Sequence, residues 1–143
     1  MSDERDAQEP ADNAVGKVVV TVREEDTAAS LSSVTGDAFP AVLSTTRTIA
    51  LLELAAGRVL APLCKPGQLS VGVEVNVKHG AATPPGATVT ATARYTGRVG
   101  KLYSFEVVAY DSAGEIMRGE HTRAIVEVER LLSSAKRRNP TPT

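Results

Sequence analysis

A carboxylate, an imidazole and a cluster of hydroxyls are the side chains in this sequence that could act on a substrate. Glu53 follows Leu52 directly and Ile49 by four residues, so in a helix it shares their apolar stripe. A carboxylate in such a stripe must be paired or hydrogen-bonded, because burying it alone is costly. The ordinary alternative is a glutamate at the edge of the stripe whose carboxylate reaches water.

His79 ends a run in which the apolar residues from Leu69 to Val77 alternate with polar ones, and it continues the apolar parity. The imidazole is therefore expected on the core side of a strand, at the strand end. An imidazole exchanges its proton near neutral pH, which suits a general base. A satisfied histidine at the edge of the core is the alternative.

The hydroxyl cluster Ser44-Thr45-Thr46 stands immediately before the helical stripe. Such residues usually cap a helix N-terminus, and capping is the default interpretation. A hydroxyl at this place could also act as a nucleophile or orient water, because the backbone N–H groups of a helix start favour negative charge.

Length and charge exclude several classes of protein. The chain has 143 residues, which indicates one domain. Its net charge is −1, so the sequence has no excess of basic residues of the kind that binds nucleic acid. It contains no apolar run long enough to cross a membrane, and Met1 to Pro10 is acidic and polar, unlike a signal peptide. We therefore expect a cytoplasmic protein with no nucleic-acid or membrane partner.

Cys64 is the only cysteine, so no internal disulfide can form, as is typical of a reducing compartment. We interpret it as a small apolar residue rather than a nucleophile. The two histidines and this cysteine lack ligand spacing, so we expect no metal and no cofactor.

The elements that must position these residues follow from periodicity and turn signals. The predicted order is a strand, a long polar loop that could serve as a lid, a helix, and a meander of four strands. A disordered tail is predicted at each end of the chain. The segments are 1–14 (tail), Val15–Val22 (strand), 24–40 (loop), Val42–Leu63 (helix), Leu69–Lys78, Thr88–Thr96, Lys101–Tyr110 and Glu115–Glu129 (strands), and 132–143 (tail).

One long helix packed on an antiparallel sheet of about five strands is an α+β architecture, and this order is expected of a hot-dog fold, in which a curved sheet wraps the helix. Such a sheet covers the helix on one side only and leaves a strand edge exposed. We therefore expect at least a homodimer with the two sheets made continuous.

Residues 15–131 resemble the fluoroacetyl-CoA thioesterase family. The resemblance rests on Thr45 to Pro62, on Val75-Asn76-Val77-Lys78-His79-Gly80-Ala81-Ala82-Thr83-Pro84-Pro85-Gly86, and on Gly119-Glu120-His121-Thr122-Arg123-Ala124. By register, the catalytic threonine, glutamate and histidine of that family fall on Thr45, Glu53 and His79. A family glycine and a late-strand arginine, both candidates for substrate binding, fall on Gly72 and Arg123.

The resemblance implies an acyl-CoA thioesterase in which His79 is the general base. Glu53 then orients the attacking species or attacks the thioester itself to form an anhydride, and Thr45 positions the carboxylate or water. Thr45 and Glu53 are eight residues apart, about 12 Å along a helix. Either Thr45 precedes the helix on a folded-back loop, or the site is completed across a dimer interface; we expect the second, with His79 from the partner subunit.

Arg123 could contact a CoA phosphate, although an internal salt bridge is the default for a strand arginine, and His121 is expected to be structural. Two lid aromatics of the family fall on Phe39, a match and a candidate for substrate binding, and on Gly36, a departure. A glycine cannot wall off an apolar pocket, which favours a small or medium acyl-CoA over a fluorinated one. A hot-dog module that binds an acyl-thioester without cleaving it and a hydratase or dehydratase remain alternatives.

Overall fold

Five strands and one long helix make up most of the computed structural model, which describes residues 9–142. Residues 1–8, the larger part of the predicted N-terminal tail 1–14, lie outside the described residues, as does residue 143. The elements are β1 (Val15–Thr21), α1 (Ser32–Thr35), α2 (Thr45–Leu60), β2 (Gln68–His79), β3 (Thr88–Val99), β4 (Leu102–Asp111), β5 (Gly114–Glu127) and α3 (Val128–Arg138).

The strands form one antiparallel sheet in the order β1-β3-β4-β5-β2, and its inner face packs against α2. Alternating residues of the central strands supply that face, as the period of two requires. The buried apolar residues include Val89, Ala91, Ala93 and Tyr95 of β3, Tyr103, Phe105, Val107 and Ala109 of β4, Ile116 and Met117 of β5, and Leu51, Leu52, Ala55, Ala56 and Leu60 of α2. The predicted α+β arrangement of a helix on a five-stranded sheet is confirmed.

Strand β1 crosses α2 so closely that the two backbones contact each other. A Cβ placed on Gly16 would overlap the carbonyl oxygen of Ala55, which belongs to the rigid helix backbone. Glycine is therefore required at this crossing, and the close approach holds α2 down on the sheet.

The strand that carries His79 contains a bulge that the sequence pattern did not reveal. In the pairing with β5, Gly72 lies opposite Arg123 but Glu74 lies opposite Thr122, so one residue, Val73, is extra. A bulge of one residue reverses which side chains face inward. The expectation that Leu69 to Val77 share a single face is therefore wrong.

The reversal decides which residues of β2 face the helix. Residues opposite Arg123 and His121 point to the same side as those buried side chains. On that side lie Ser70 and Gly72 before the bulge and Val75, Val77 and His79 after it. The predicted inward direction of His79 is confirmed.

Two segments are more ordered than predicted. The long loop 24–40 contains two short 3-10 turns, Glu24–Asp26 and Ala28–Leu31, followed by α1. At the other end the predicted tail 132–143 is wrong over residues 132–138, which belong to α3. Four apolar residues of α3, Val128, Leu131, Leu132 and Ala135, recur at helical spacing, whereas the charged composition of this segment suggested disorder.

Candidate active site

Thr45 and His79 meet at the start of α2. Ser44 caps the helix by accepting a hydrogen bond of 3.0 Å from the backbone N–H of Arg47, which leaves the Thr45 hydroxyl free for another partner. That partner is His79, whose Nδ1 lies 2.8 Å from the Thr45 Oγ1. The capping interpretation of this hydroxyl cluster is confirmed for Ser44, while Thr45 has a different contact.

The same-chain contact changes one expectation. His79 was expected from the partner subunit, but it reaches Thr45 within one chain because β2 ends beside the first turn of α2. The far nitrogen of the ring, Nε2, is buried and has no hydrogen-bond partner among the described residues. Leaving a buried ring nitrogen without a hydrogen-bond partner is costly.

Glu53 lies two turns further along α2, at the edge of the apolar stripe. Its side chain is 39% exposed, and Oε2 is 3.3 Å from Nη1 of Arg123. The salt-bridge interpretation of Arg123 is confirmed, and its role in substrate binding stays a prediction. Within the described part of the chain, no hydrogen bond joins Glu53 to Thr45 or His79.

Arg123 is held at each of its nitrogens. Nε donates to the Ser70 hydroxyl at 3.0 Å and Nη2 to the Ser70 carbonyl oxygen at 2.9 Å. Nη1 reaches Glu53 and lies 3.3 Å from Nε2 of His121. Burial lowers the pKa of Arg123, and the neighbouring Glu53 carboxylate opposes that change. The guanidinium is therefore fixed in place, and its contact with Glu53 orients that carboxylate.

His121 continues this network into the sheet. Its Nδ1 donates a 2.8 Å hydrogen bond to the carbonyl oxygen of Glu74, next to the bulge, so in the neutral ring Nε2 accepts from Arg123. Burial lowers the pKa of His121; the bond to Glu74 raises it and the charge of Arg123 lowers it further. His121 is thus a buried neutral histidine, and its expected structural role stays a prediction.

Gly72 lies directly against the Glu53 carboxylate. A Cβ at this position would overlap Glu53 Oε2 and come within 3.3 Å of Cε1 of His121. Only glycine lets the carboxylate approach the β2 backbone this closely. Ser70 and Gly72 were assigned to the outer face by the simple alternation, so their contacts with Arg123 and Glu53 were missed.

A groove of about 590 Å³ runs along the outer flank of α2 beside Glu53. Arg123, Gly57, Leu69 and Cys64 contribute to its walls. Burial raises the pKa of the Cys64 thiol, which agrees with its interpretation as an unreactive apolar residue. The described residues contain no group of three metal-ligating side chains.

The segment before α2 is anchored at its base and exposed at its tip. Asp26 is buried, pairs with Arg47 of α2 at 3.0 Å, and its carbonyl accepts the Ser44 N–H. Phe39 is 45% exposed. Gly36 ends α1 at φ +80°, a conformation that an aromatic side chain rarely adopts, so an aromatic is disfavoured at this position for backbone reasons.

Comparison with known proteins agrees with this architecture. The family model described as fluoroacetyl-CoA-specific thioesterase matches residues 22–129. A fluoroacetyl-CoA thioesterase of Streptantibioticus cattleyicolor is 42% identical over 104 residues, 73% of each chain.

Solved structures show the same fold. A structure of the fluoroacetyl-CoA thioesterase FlK superposes with a TM-score of 0.85 at 34% identity, covering 94% of this chain and 100% of that one. A hot-dog-like protein from Thermanaerovibrio acidaminovorans superposes with a TM-score of 0.77 at 22% identity, covering 92% of this chain and 95% of the other. The hot-dog prediction is confirmed.

Proposed function

This chain belongs to the fluoroacetyl-CoA-specific thioesterase family, and from this premise we propose that it cleaves a small or medium acyl-CoA through Thr45, Glu53 and His79. Membership makes it an acyl-CoA thioester hydrolase, whose products are a free acid and CoA. The observation that carries the residue assignment is the 2.8 Å contact between Thr45 and His79, with the ring's other nitrogen buried and unpartnered.

Glu53 completes the site across a homodimer interface. The eight residues between Thr45 and Glu53 separate them by about 12 Å along one helix. Strand β2 is an edge strand with Leu69 and Val73 exposed, and the neighbouring outer face of α2 exposes Leu54. Pairing two such edges would cover these apolar side chains and bring the partner subunit's Glu53 to the Thr45–His79 pair.

In the proposed reaction, His79 removes a proton from water while that water attacks the thioester carbonyl. The Glu53 carboxylate, fixed by Arg123 and close to the Gly72 backbone, orients the water, and Thr45 holds the imidazole. Collapse of the tetrahedral oxyanion breaks the C–S bond, and the proton taken by His79 passes to the leaving thiolate. Direct attack by Glu53, with an anhydride intermediate, uses the same groups and differs in which oxygen enters the product.

The acyl group is proposed to be small or medium and not selected for fluorine. The relative from S. cattleyicolor is named for fluoroacetyl-CoA. In this chain Gly36 adopts a left-handed conformation and Phe39 is exposed, so the segment before α2 offers one aromatic instead of two. An open segment admits a wider range of acyl groups and excludes water less completely.

Localisation is part of the same proposal. No helix among residues 9–142 is long and apolar enough to cross a membrane. A single unpaired cysteine fits a reducing compartment, and we place the enzyme in the cytoplasm.

The direct test measures thiol release from a panel of acyl-CoAs of increasing chain length. Glu53→Gln and His79→Gln should each lower kcat by about 10²–10⁴-fold while binding of the acyl-CoA persists, because general-base groups contribute in that range. Lys78→Gln, a charge change on the outer side of the same strand, is the matched control and should retain kcat. Full turnover by both site variants would overturn the assignment.

A further inference from the structure

Arg47 is a cation in the groove beside Glu53 that the proposed reaction does not use. It lies on α2 six residues before Glu53, about 9 Å along the helix axis, and lines the same groove. Among the described residues that line this groove, Glu53 is the one carboxylate, and it is already paired with Arg123 at 3.3 Å. No acidic side chain of the lining is therefore left to match the charge of Arg47.

Arg47 is anchored from outside the groove. Its Nε is buried and lies 3.0 Å from Oδ1 of Asp26, a buried carboxylate that does not line the groove. The Arg47 side chain is nevertheless 38% exposed, so this exposure belongs to its other atoms. Neither Nη1 nor Nη2 makes a hydrogen bond within residues 9–142. The ion pair fixes the side chain, while the outer edge of the guanidinium keeps its donors for a ligand.

The anchoring carboxylate is shared between two arginines. Oδ2 of Asp26 accepts a 2.9 Å hydrogen bond from the backbone N–H of Arg23 and lies 3.4 Å from Nε of the same residue. Arg23 also contacts Glu25 at 3.5 Å, but both of these side chains are exposed and water weakens their attraction. Two guanidinium groups thus flank one buried carboxylate, which leaves positive charge at the Arg47 end of the groove.

The distance between Arg47 and Glu53 suits an acyl chain that ends in a carboxylate. A planar guanidinium binds a carboxylate through two parallel hydrogen bonds, which a neutral chain end cannot form. Ala50 lines the groove between the two residues, and its small apolar side chain leaves room for methylene groups. An extended chain of six carbons spans about 6 Å, and a hydrogen bond adds about 3 Å. Together they match the separation of about 9 Å.

We propose that Arg47 binds the terminal carboxylate of the acyl group, so that the enzyme prefers the CoA thioester of a dicarboxylic acid of about five or six carbons. The thioester lies at Glu53, the methylene groups pass over Ala50, and the carboxylate accepts hydrogen bonds from Nη1 and Nη2 of Arg47. This inference rests on the proposed function and names the class of acyl group within its small or medium range.

The test compares adipyl-CoA with hexanoyl-CoA, two thioesters of six acyl carbons that differ in the terminal carboxylate. The kcat/KM of the unmodified enzyme for adipyl-CoA should exceed that for hexanoyl-CoA by about tenfold or more, the contribution of a charged hydrogen-bonded pair. In Arg47→Gln the ratio of the two values should fall to about one or below. A general loss caused by freeing Asp26 lowers both values and cancels in this ratio.

The matched control is Arg58→Gln on the same helix. Arg58 is exposed, donates a 2.7 Å hydrogen bond to the Lys17 carbonyl oxygen and does not line the groove, so its loss should leave the ratio unchanged. An unmodified enzyme that does not prefer adipyl-CoA would overturn the inference. So would an unchanged ratio in Arg47→Gln, the result expected if Arg47 is only structural or contacts the CoA part that both thioesters share.

Failure of the proposed function has a separate signature. If the unmodified chain cleaves neither thioester, calorimetric titration with the same two compounds decides the question for Arg47. Tighter binding of adipyl-CoA, with the difference lost in Arg47→Gln and kept in Arg58→Gln, supports the carboxylate contact. Equal affinities, or no binding of either compound, refute it. Cleavage of hexanoyl-CoA without a preference for adipyl-CoA refutes this inference alone and leaves the proposed function standing.

Discussion

Thr45 and His79 are joined by a hydrogen bond that ties a helix start to a strand end, and its removal has a specific consequence. Thr45→Val keeps the shape of the side chain but deletes the hydroxyl, so the imidazole loses its orienting contact. We expect kcat to fall about tenfold or more, the cost of one hydrogen bond at a reacting centre. Thr45→Ser restores the hydroxyl and should recover most of the rate. Equal kcat values for the valine and serine variants would show that the contact is unimportant.

His121 gives the folded state a pH dependence. Its pKa is lowered in the native protein, chiefly by burial, so below about pH 6.5 the unfolded chain takes up a proton that the native chain does not. The free energy of unfolding should therefore fall as pH drops through this range, by about 1.4 kcal/mol per pH unit until the native ring also titrates. His121→Gln should flatten this slope. Urea titrations at several pH values measure it, and an identical slope in both proteins would contradict this account.

The sequence predicts the direction of a single side chain correctly where local periodicity determines that direction. The inward direction of His79 follows from its parity with Val75 and Val77, which the bulge does not interrupt. The partners of Glu53 could not be predicted, because Arg123 is seventy residues away and meets it only through the pairing of β2 with β5. The predicted catalytic roles of Thr45, Glu53 and His79 rest on the family resemblance.

At the scale of elements, the crossing of β1 over α2 tolerates no side chain. Gly16→Ala would place a methyl group on the Ala55 carbonyl oxygen, and neither backbone can move without disturbing the core. We expect a loss of about 1–3 kcal/mol in the free energy of unfolding, the usual cost of overpacking. Lys17→Ala, at the adjacent exposed position, is the control and should change stability little. Chemical denaturation measures both, and equal stabilities would contradict the close contact.

The elements themselves were largely predictable, and the bulge in β2 and helix α3 were missed for physical reasons. The bulge at Val73 was missed because five apolar residues at a strict period of two are compatible with an uninterrupted strand. Only the cross-strand register reveals an extra residue. Helix α3 was missed because its apolar residues are few and lie beside the Lys136-Arg137-Arg138 cluster, whose charge favoured disorder.

At the scale of the whole molecule, the edge strand and the outer face of α2 are proposed to be covered by a second copy. Leu54→Glu/Val73→Glu places two carboxylates among those exposed apolar side chains. We expect the variant to be monomeric by analytical ultracentrifugation and to lose thioesterase activity while retaining its circular dichroism spectrum, because each chain lacks the partner's Glu53. Val34→Glu, on the exposed tip of α1, is the control. A monomer with full activity would refute a shared site.

The central claim is that one subunit supplies Thr45 and His79 while the other supplies Glu53. Mixing the inactive variants Glu53→Gln and His79→Gln after unfolding and refolding them together tests it directly. Half of the dimers formed at random are mixed, and each of these has one site with both groups intact, so activity should return to about a quarter of that of the unmodified enzyme. If both groups act within one chain, every site in the mixture carries a defect. A refolded mixture no more active than the separate variants would contradict the account.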